Sequence, residues 1–430
     1  MSTIGRGRWI APAGLILVYI AAWAGASWQL DTKQSDLDLF FWPSAETAAN
    51  GHVLQVYSAH SLASYPNANG PLGLLPLIPI VTLANHLGWA NDIRLRAGLT
   101  NAVFAIFAML LTVTALRVIE RARGALEWRL AASCVFLVAP ALLIAVADYG
   151  HIEQPVELWL VMVAAGLALK KRYGLAGVVL GLALLTRTTA LLYVIPFVSL
   201  PLAGRRIRSS ATLLGLAAIT AVAGLVPFYL ADSQNVTHSL ITYRGDLPIG
   251  GGSFWLMARG TPWAGLAQHG DVYLILGLGA ALTALTVWRR PAAARTTAGF
   301  FGLLTILAAC FPMLAKTVLP YYLLEPYVFA AIWWLSRPGS ALNWRIAAPL
   351  LLTADVLISK WGTTLPLTGS GVVEGIVSSA ILAMVMLLVL MDLFRAPMPS
   401  SLDKPMLPAG SRMPVDSVRP VTATARPAPR

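Results

Sequence analysis

The sequence predicts an all-α polytopic membrane protein, and three observations carry that prediction. Of 430 residues, 57% are hydrophobic and only 12% charged, with a mean hydropathy of +0.70. Soluble proteins carry about 25% charged residues, so this chain has too little polar side chain to cover a water-facing surface. The apolar residues gather into long runs, and the arginines fall between those runs in a pattern that assigns sides. A soluble enzyme, a disordered chain and a fibre are excluded. The net charge of +12 and pI near 10.0 fit basic cytoplasmic loops that set topology, so no nucleic-acid partner is inferred. Cys134 and Cys310 lie inside apolar runs and form no metal-ligand pattern.

The first run, 9–30, follows Arg6 and Arg8 and is long enough to cross about 30 Å of hydrocarbon. It exceeds the ~7–15 residues of a signal-peptide core, and the expectation is a retained anchor. Further runs cover about 97–117, 130–147, 155–169, 174–186, 188–203, 211–231, 271–288, 297–315, 318–335, 345–360 and 372–393. With the first they make about 12 transmembrane helices, several shorter than the ~20 residues a full crossing prefers.

A further apolar segment, 71–89, contains Pro71, Pro76 and Pro79, which a straight spanning helix tolerates poorly. If it does not cross, 23 of the 31 basic residues fall on the cytoplasmic side. If it crosses, the arginines of 117–129 and every later cluster face outward, against the positive-inside rule. The segment is therefore expected to be an interfacial or re-entrant helix, with both termini cytoplasmic. Two long exterior loops result, 31–96 and 232–271, the second holding Gly250, Gly251 and Gly252 as a flexible connector or gate. The membrane domain spans 1–395. The tail 396–430, with eight prolines, cannot bury apolar surface and is expected to be a disordered cytoplasmic segment.

Polar groups that apolar surroundings make expensive mark function in such proteins. Asp36 and Asp38, just after the first run, could converge on a pocket if they sit in a turn, and a carboxylate there could take a proton from an attacking hydroxyl. The turn Asp148-Tyr149-Gly150-His151-Ile152-Glu153 could line a substrate site, bind a divalent cation or be a simple connection. Arg187, between two short apolar runs, wants an anion: a phosphate, or one of the carboxylates Asp148 and Glu153. Lys316, before Pro320-Tyr321-Tyr322, is a second such cation. Asp355 and Glu325 lie within apolar runs and should face the bundle interior, where they could serve a proton path.

These residues sit in motifs that resemble the C-type glycosyltransferase superfamily, membrane enzymes using polyprenyl-phosphate sugars, and especially glycosyltransferase family 87 and related mannosyltransferases. The matching positions in the first loop are Asp36, Gly51, Tyr57, Tyr65, Pro66, Gly70 and Pro71. Gly150, His151 and Glu153, then Ala176 to Arg187, match a Gly-His-x-acid turn and the run that follows it. The stretches GGGSFW and LPYYLLEPYVF match more loosely. Phe40 in place of Tyr and the NANG stretch depart from the pattern.

The resemblance implies a helical bundle with an exterior active cavity and transfer of a hexose, mannose above all, to a glycolipid or glycan acceptor. Asp36 would be the general base, with Asp38 as the alternative, and Arg187 with Lys316 would bind the donor phosphate. Tyr65, Asp148, His151, Glu153, Tyr321 and Tyr322 would border the substrates. No cofactor is implied, no metal is assigned, and the sequence holds no nucleotide-binding motif. The expected setting is a bacterial plasma membrane. A transporter or flippase of lipid-linked sugars is the rival reading, with Asp355 and Glu325 as proton relays.

Overall fold

The computed structural model describes residues 36–58, 67, 69–123, 149–337, 343–361 and 371–395. The runs 9–30 and 130–147, together with Tyr65 and Asp148, lie outside the described residues, as does the tail, a separate unit of residues 397–430. What is described is almost wholly helical, with one parallel pair of two-residue strands, β1 (Gly250–Gly251) and β2 (Thr317–Val318).

The described part of 31–96, the expected first exterior loop, is more helical than the sequence suggested. A π-helical turn, Leu37–Phe41, runs into α1 (Trp42–Ala49), which packs on α2 (Ile78–His86). At about 1.5 Å per residue, the nine residues of α2 are too short to cross a bilayer. The 3-10 turn Pro71–Leu74 before it docks on the end of α5 (Tyr173–Thr186). Gly70 makes that docking possible: its N–H donates to Thr186 O at 3.1 Å, and a Cβ there would lie 1.9 Å from Leu185 O.

The helices of the bundle follow as α3 (Ile93–Arg123), α4 (Glu153–Leu169), α5, α6 (Leu191–Leu202), α7 (Ile207–Ala231), α8 (Ala264–Arg289), α9 (Thr297–Leu314), α10 (Leu324–Leu335), α11 (Ala347–Trp361) and α12 (Gly371–Arg395). Each coincides with a predicted apolar run. Among the described residues, five helices are long and apolar enough to cross a membrane unaided: α3 over Ile93–Ile119, α7, α8, α9 and α12. The chain is therefore an all-α membrane protein. The run 188–203 begins as a 3-10 turn, Thr188–Ala190, and 318–335 as a strand and a 3-10 turn, which leaves α6 and α10 with 12 residues each.

Helix α9 is the core, packed by α8, α10 and α12, with its side chains buried on nearly every face. Thr296 caps it by accepting the Gly299 N–H at 2.9 Å. Helix α7 is its opposite, apolar but largely uncovered, with Ile219, Val222, Tyr229 and Leu230 exposed as a lipid-facing helix requires. It attaches to the bundle mainly through α5. There Gly177 and Gly181, four residues apart on one helix face, let the backbones approach: a Cβ on them would lie 2.4 Å from Leu213 O and 2.7 Å from Ala217 O. Gly177→Val is expected to push α7 off α5, lowering the thermal midpoint in detergent. An unchanged midpoint would contradict this packing.

The turns between membrane helices sort by chemistry. Lys170-Lys171-Arg172 and Arg205-Arg206 close two hairpins at one end, with Lys171 and Arg205 in the left-handed region. At the other end of the same helices sit His151, Arg187, the loop after α7 and the loop before α10. His151 and Arg187 thus sit at the end of these helices opposite the Lys170–Arg172 and Arg205–Arg206 turns.

Candidate functional site

At that polar end lies a cavity of about 540 Å³. Its floor carries Asp36, Asn69, His151, Arg187, Thr188 and Thr189. One wall is the α8 face Val272, Ile275 and Leu276, spaced for a single helical stripe, and Leu191, Leu192, Phe311 and Leu319 extend it. The loop after α7 contributes Leu240, Tyr243 and Arg244, and the loop before α10 contributes Thr317, Tyr321 and Tyr322. The cavity is polar at one end and apolar along its side, as an amphiphilic ligand needs.

Asp36 opens the π-helical turn, and its segment is tied to the His151 turn by the Leu37 N–H donating to Tyr149 O at 3.2 Å. Asp36 Oδ2 lies 2.7 Å from His151 Nε2, and His151 Nδ1 lies 2.5 Å from Glu153 Oε1. Tyr321 stacks on the imidazole, ring centroids 3.9 Å apart, and Phe41 meets it edge-on at 5.3 Å. Burial disfavours charge on the imidazole, but Glu153 and Asp36 outweigh it and hold the pKa up at about 9. Burial, Asp36 and Glu374 together raise the nearby Tyr149 phenol above its ordinary value.

The two candidate bases separate. Residues two apart on a helical turn point in roughly opposite directions, so Asp36 faces the cavity while Asp38 pairs with Arg96 of α3. The turn in which both acids could share a pocket does not form.

Arg187 sits where α5 breaks, in extended backbone that starts the 3-10 turn before α6. Its guanidinium is buried and ion-paired to Glu325, with Glu157 at 3.7 Å and Glu153 at 3.8 Å. Tyr193 donates to Glu325 at 3.0 Å and Thr189 to Glu157 at 3.2 Å. The partner of Arg187 is thus a cage of three carboxylates, chiefly Glu325, and a phosphate would have to displace one of them. Glu153 does not line the cavity; it stands behind His151 and beside Arg187. Lys316 is also off the cavity. Its ammonium donates to Gly245 O at 2.7 Å and Gln268 O at 2.9 Å, bracing the loop that carries Arg244.

Arg244 is the cation that sequence reasoning missed. It lines the cavity, pairs with Asp271 at 3.1 Å, and lies over the Phe311 ring at 4.5 Å. Its Nε is buried without a hydrogen-bond partner among the described residues. The signal was present, because Arg244 is one of the eight basic residues outside the clusters expected to be cytoplasmic. Arg96, Arg187 and Lys316 belong to the same eight, and each is engaged within the protein: Arg96 with Asp38, Arg187 with Glu325, Lys316 with two backbone carbonyls.

Among the described residues no group of three His, Cys, Asp or Glu side chains is arranged to hold a metal ion. Both nitrogens of His151 face carboxylates. No protein-family model and no curated protein sequence matches this chain.

Proposed function

We propose that the protein is an integral membrane glycosyltransferase that moves a hexose from a polyprenyl-phosphate donor to a lipid or glycan acceptor on the exterior face. The observation that carries the reading is the cavity itself, where a carboxylate held by His151 shares one amphiphilic space with Arg244 and an apolar helix face. The motif resemblance of the first loop and of the His151 turn selects the C type of such enzymes and mannose as the sugar. The twelve apolar runs and the distribution of basic residues support about twelve crossings and cytoplasmic termini, and the short loops support a bacterial plasma membrane.

Asp36 takes the proton of the acceptor hydroxyl as its oxygen attacks the anomeric carbon. The bond from that carbon to the phosphate oxygen breaks, and the electron pair leaves with the polyprenyl phosphate. Attack opposite the leaving group inverts the anomeric centre. Arg244, next to the apolar α8 face, is placed to stabilise the departing phosphate while the isoprenoid lies along Val272, Ile275 and Leu276. Arg187 reaches His151, and through it Asp36, by way of Glu153.

Purified protein in nanodiscs, given a panel of polyprenyl-phosphate sugars and crude membrane lipid, is expected to transfer labelled sugar from one donor. Saturable donor binding without transfer, together with donor movement between leaflets, would replace this reading with the lipid-linked-sugar flippase.

A further inference from the structure

His151 is the best-held titratable side chain at the cavity, and its surroundings specify its charge by geometry alone. A neutral imidazole donates from one nitrogen and accepts at the other. Here both nitrogens point at carboxylate oxygens, Asp36 Oδ2 at 2.7 Å and Glu153 Oε1 at 2.5 Å. A neutral ring would set a lone pair against one carboxylate; an imidazolium donates to both. The groups packed around the ring are Asp36 from the π-helical turn, Glu153 from the head of α4, Tyr149 from its own turn and Tyr321 from the loop before α10. Arg187 lies one step further, beyond Glu153. The ring is buried, so water does little to screen these charges.

We propose that His151 is a positioning residue held as a cation between two carboxylates, and that it fixes the orientation of Asp36 and offsets the negative charge of an anionic donor beside it. Its Nε2–H engages Oδ2 of Asp36 and so fixes the orientation of that carboxylate at the cavity. A carboxylate base and a phosphate in one low-dielectric cavity repel each other, and the imidazolium between floor and ligand reduces that repulsion. Glu153 keeps the ring charged, and Tyr321 keeps it in plane. The inference rests on the reading of the cavity as a glycosyl-transfer site, but its electrostatic part is measurable without any transfer.

The test has two arms. In the first, the protein carries isotope-labelled histidine in nanodiscs, and the His151 signals among its six histidines are identified by their loss in His151→Asn. In wild type the ring is expected to stay doubly protonated at pH 7.5 and to titrate near pH 9, the value set by its two carboxylates. Glu153→Gln removes one of them, and the titration should move down toward the ordinary 6.5. The imidazolium is complete below 6.5 and is lost as pH rises through the folded value, so the variant loses it first.

In the second arm, the alkaline limb of kcat for sugar transfer should fall with that titration. At pH 8.5 Glu153→Gln should turn over on the order of ten-fold more slowly than at pH 6.5, with donor KM rising as the imidazolium is lost, whereas wild type should hold its rate across that interval. Glu153→Asp, which keeps the charge, should restore most of the wild-type profile.

A neutral His151 in wild type at pH 7.5 would overturn the proposal, and that measurement needs no variant to fold. A Glu153→Gln protein whose histidine titrates early while its rate profile stays that of wild type would also overturn it. Transfer absent with every donor, with His151 still titrating near 9, would sink the glycosyltransferase reading while leaving the charged clamp in place.

Discussion

Arg187→Met is expected to unfold or severely destabilise the protein. The side chain is buried against Glu325, Glu157 and Glu153, and in this part of the fold it is the one permanent cation among three carboxylates. Removing one partner of a buried ion pair leaves charge without compensation and costs about 3–5 kcal/mol. Here Glu325 would lose its closest cation and Glu157 its neighbouring one, while Glu153 keeps His151. The effect should appear as a large drop in the thermal midpoint in detergent. Arg187→Met combined with Glu325→Gln should recover part of the loss, because the second change removes the carboxylate in closest contact. An unchanged midpoint in the single variant would show that Arg187 is instead held available for a ligand. In that event the phosphate-binding role implied by the sequence resemblance would return to it.

Asp36→Asn carries the second large effect, and it falls on activity. A positioned general base contributes about 10²–10⁴-fold to rate, and Asn has the shape of Asp without its ability to take a proton. Transfer by Asp36→Asn should fall by that factor in kcat while donor binding changes little. Asp38→Asn is the matched control. Asp38 pairs with Arg96 at the rim of the first loop, where an ion pair contributes about 0–1 kcal/mol, and its loss should leave the rate within a few-fold of wild type. Equal losses in the two variants would mean that the two acids act together, against their separation in the fold.

The long helices were the most legible part of the chain, because lipid demands apolar length and α3 to α12 each fall on an apolar run. For the segment 71–89, prolines and the distribution of arginine argued against a crossing; it folds as the 3-10 turn Pro71–Leu74 followed by the nine-residue helix α2. What composition could not supply was the helical turn at 37–41. No strong periodicity announces it, yet it decides that Asp36 and Asp38 point apart.

The same holds for the partners of Arg187. Its need for an anion followed from its place between apolar runs, and Glu153 was one expected partner. Glu325 and Glu157 come from 138 and 30 residues away in sequence, a distance that no local motif spans. Lys316 shows the converse error. A lysine near paired tyrosines reads as a ligand group, but two backbone carbonyls satisfy it, and the loop that it braces presents Arg244 instead. Exterior basic residues are the exceptions to the positive-inside pattern, and treating all eight of them as candidates would have brought Arg244 forward.

The most direct measurement is a cryo-EM structure of the Asp36→Asn protein in nanodiscs with polyprenyl-phosphate mannose bound. The account predicts the lipid in the exterior cavity, its phosphate within hydrogen-bond reach of Arg244, its chain along Val272, Ile275 and Leu276, and the anomeric carbon of the sugar facing residue 36. A donor bound elsewhere, with this cavity unoccupied and position 36 turned from the sugar, would contradict it.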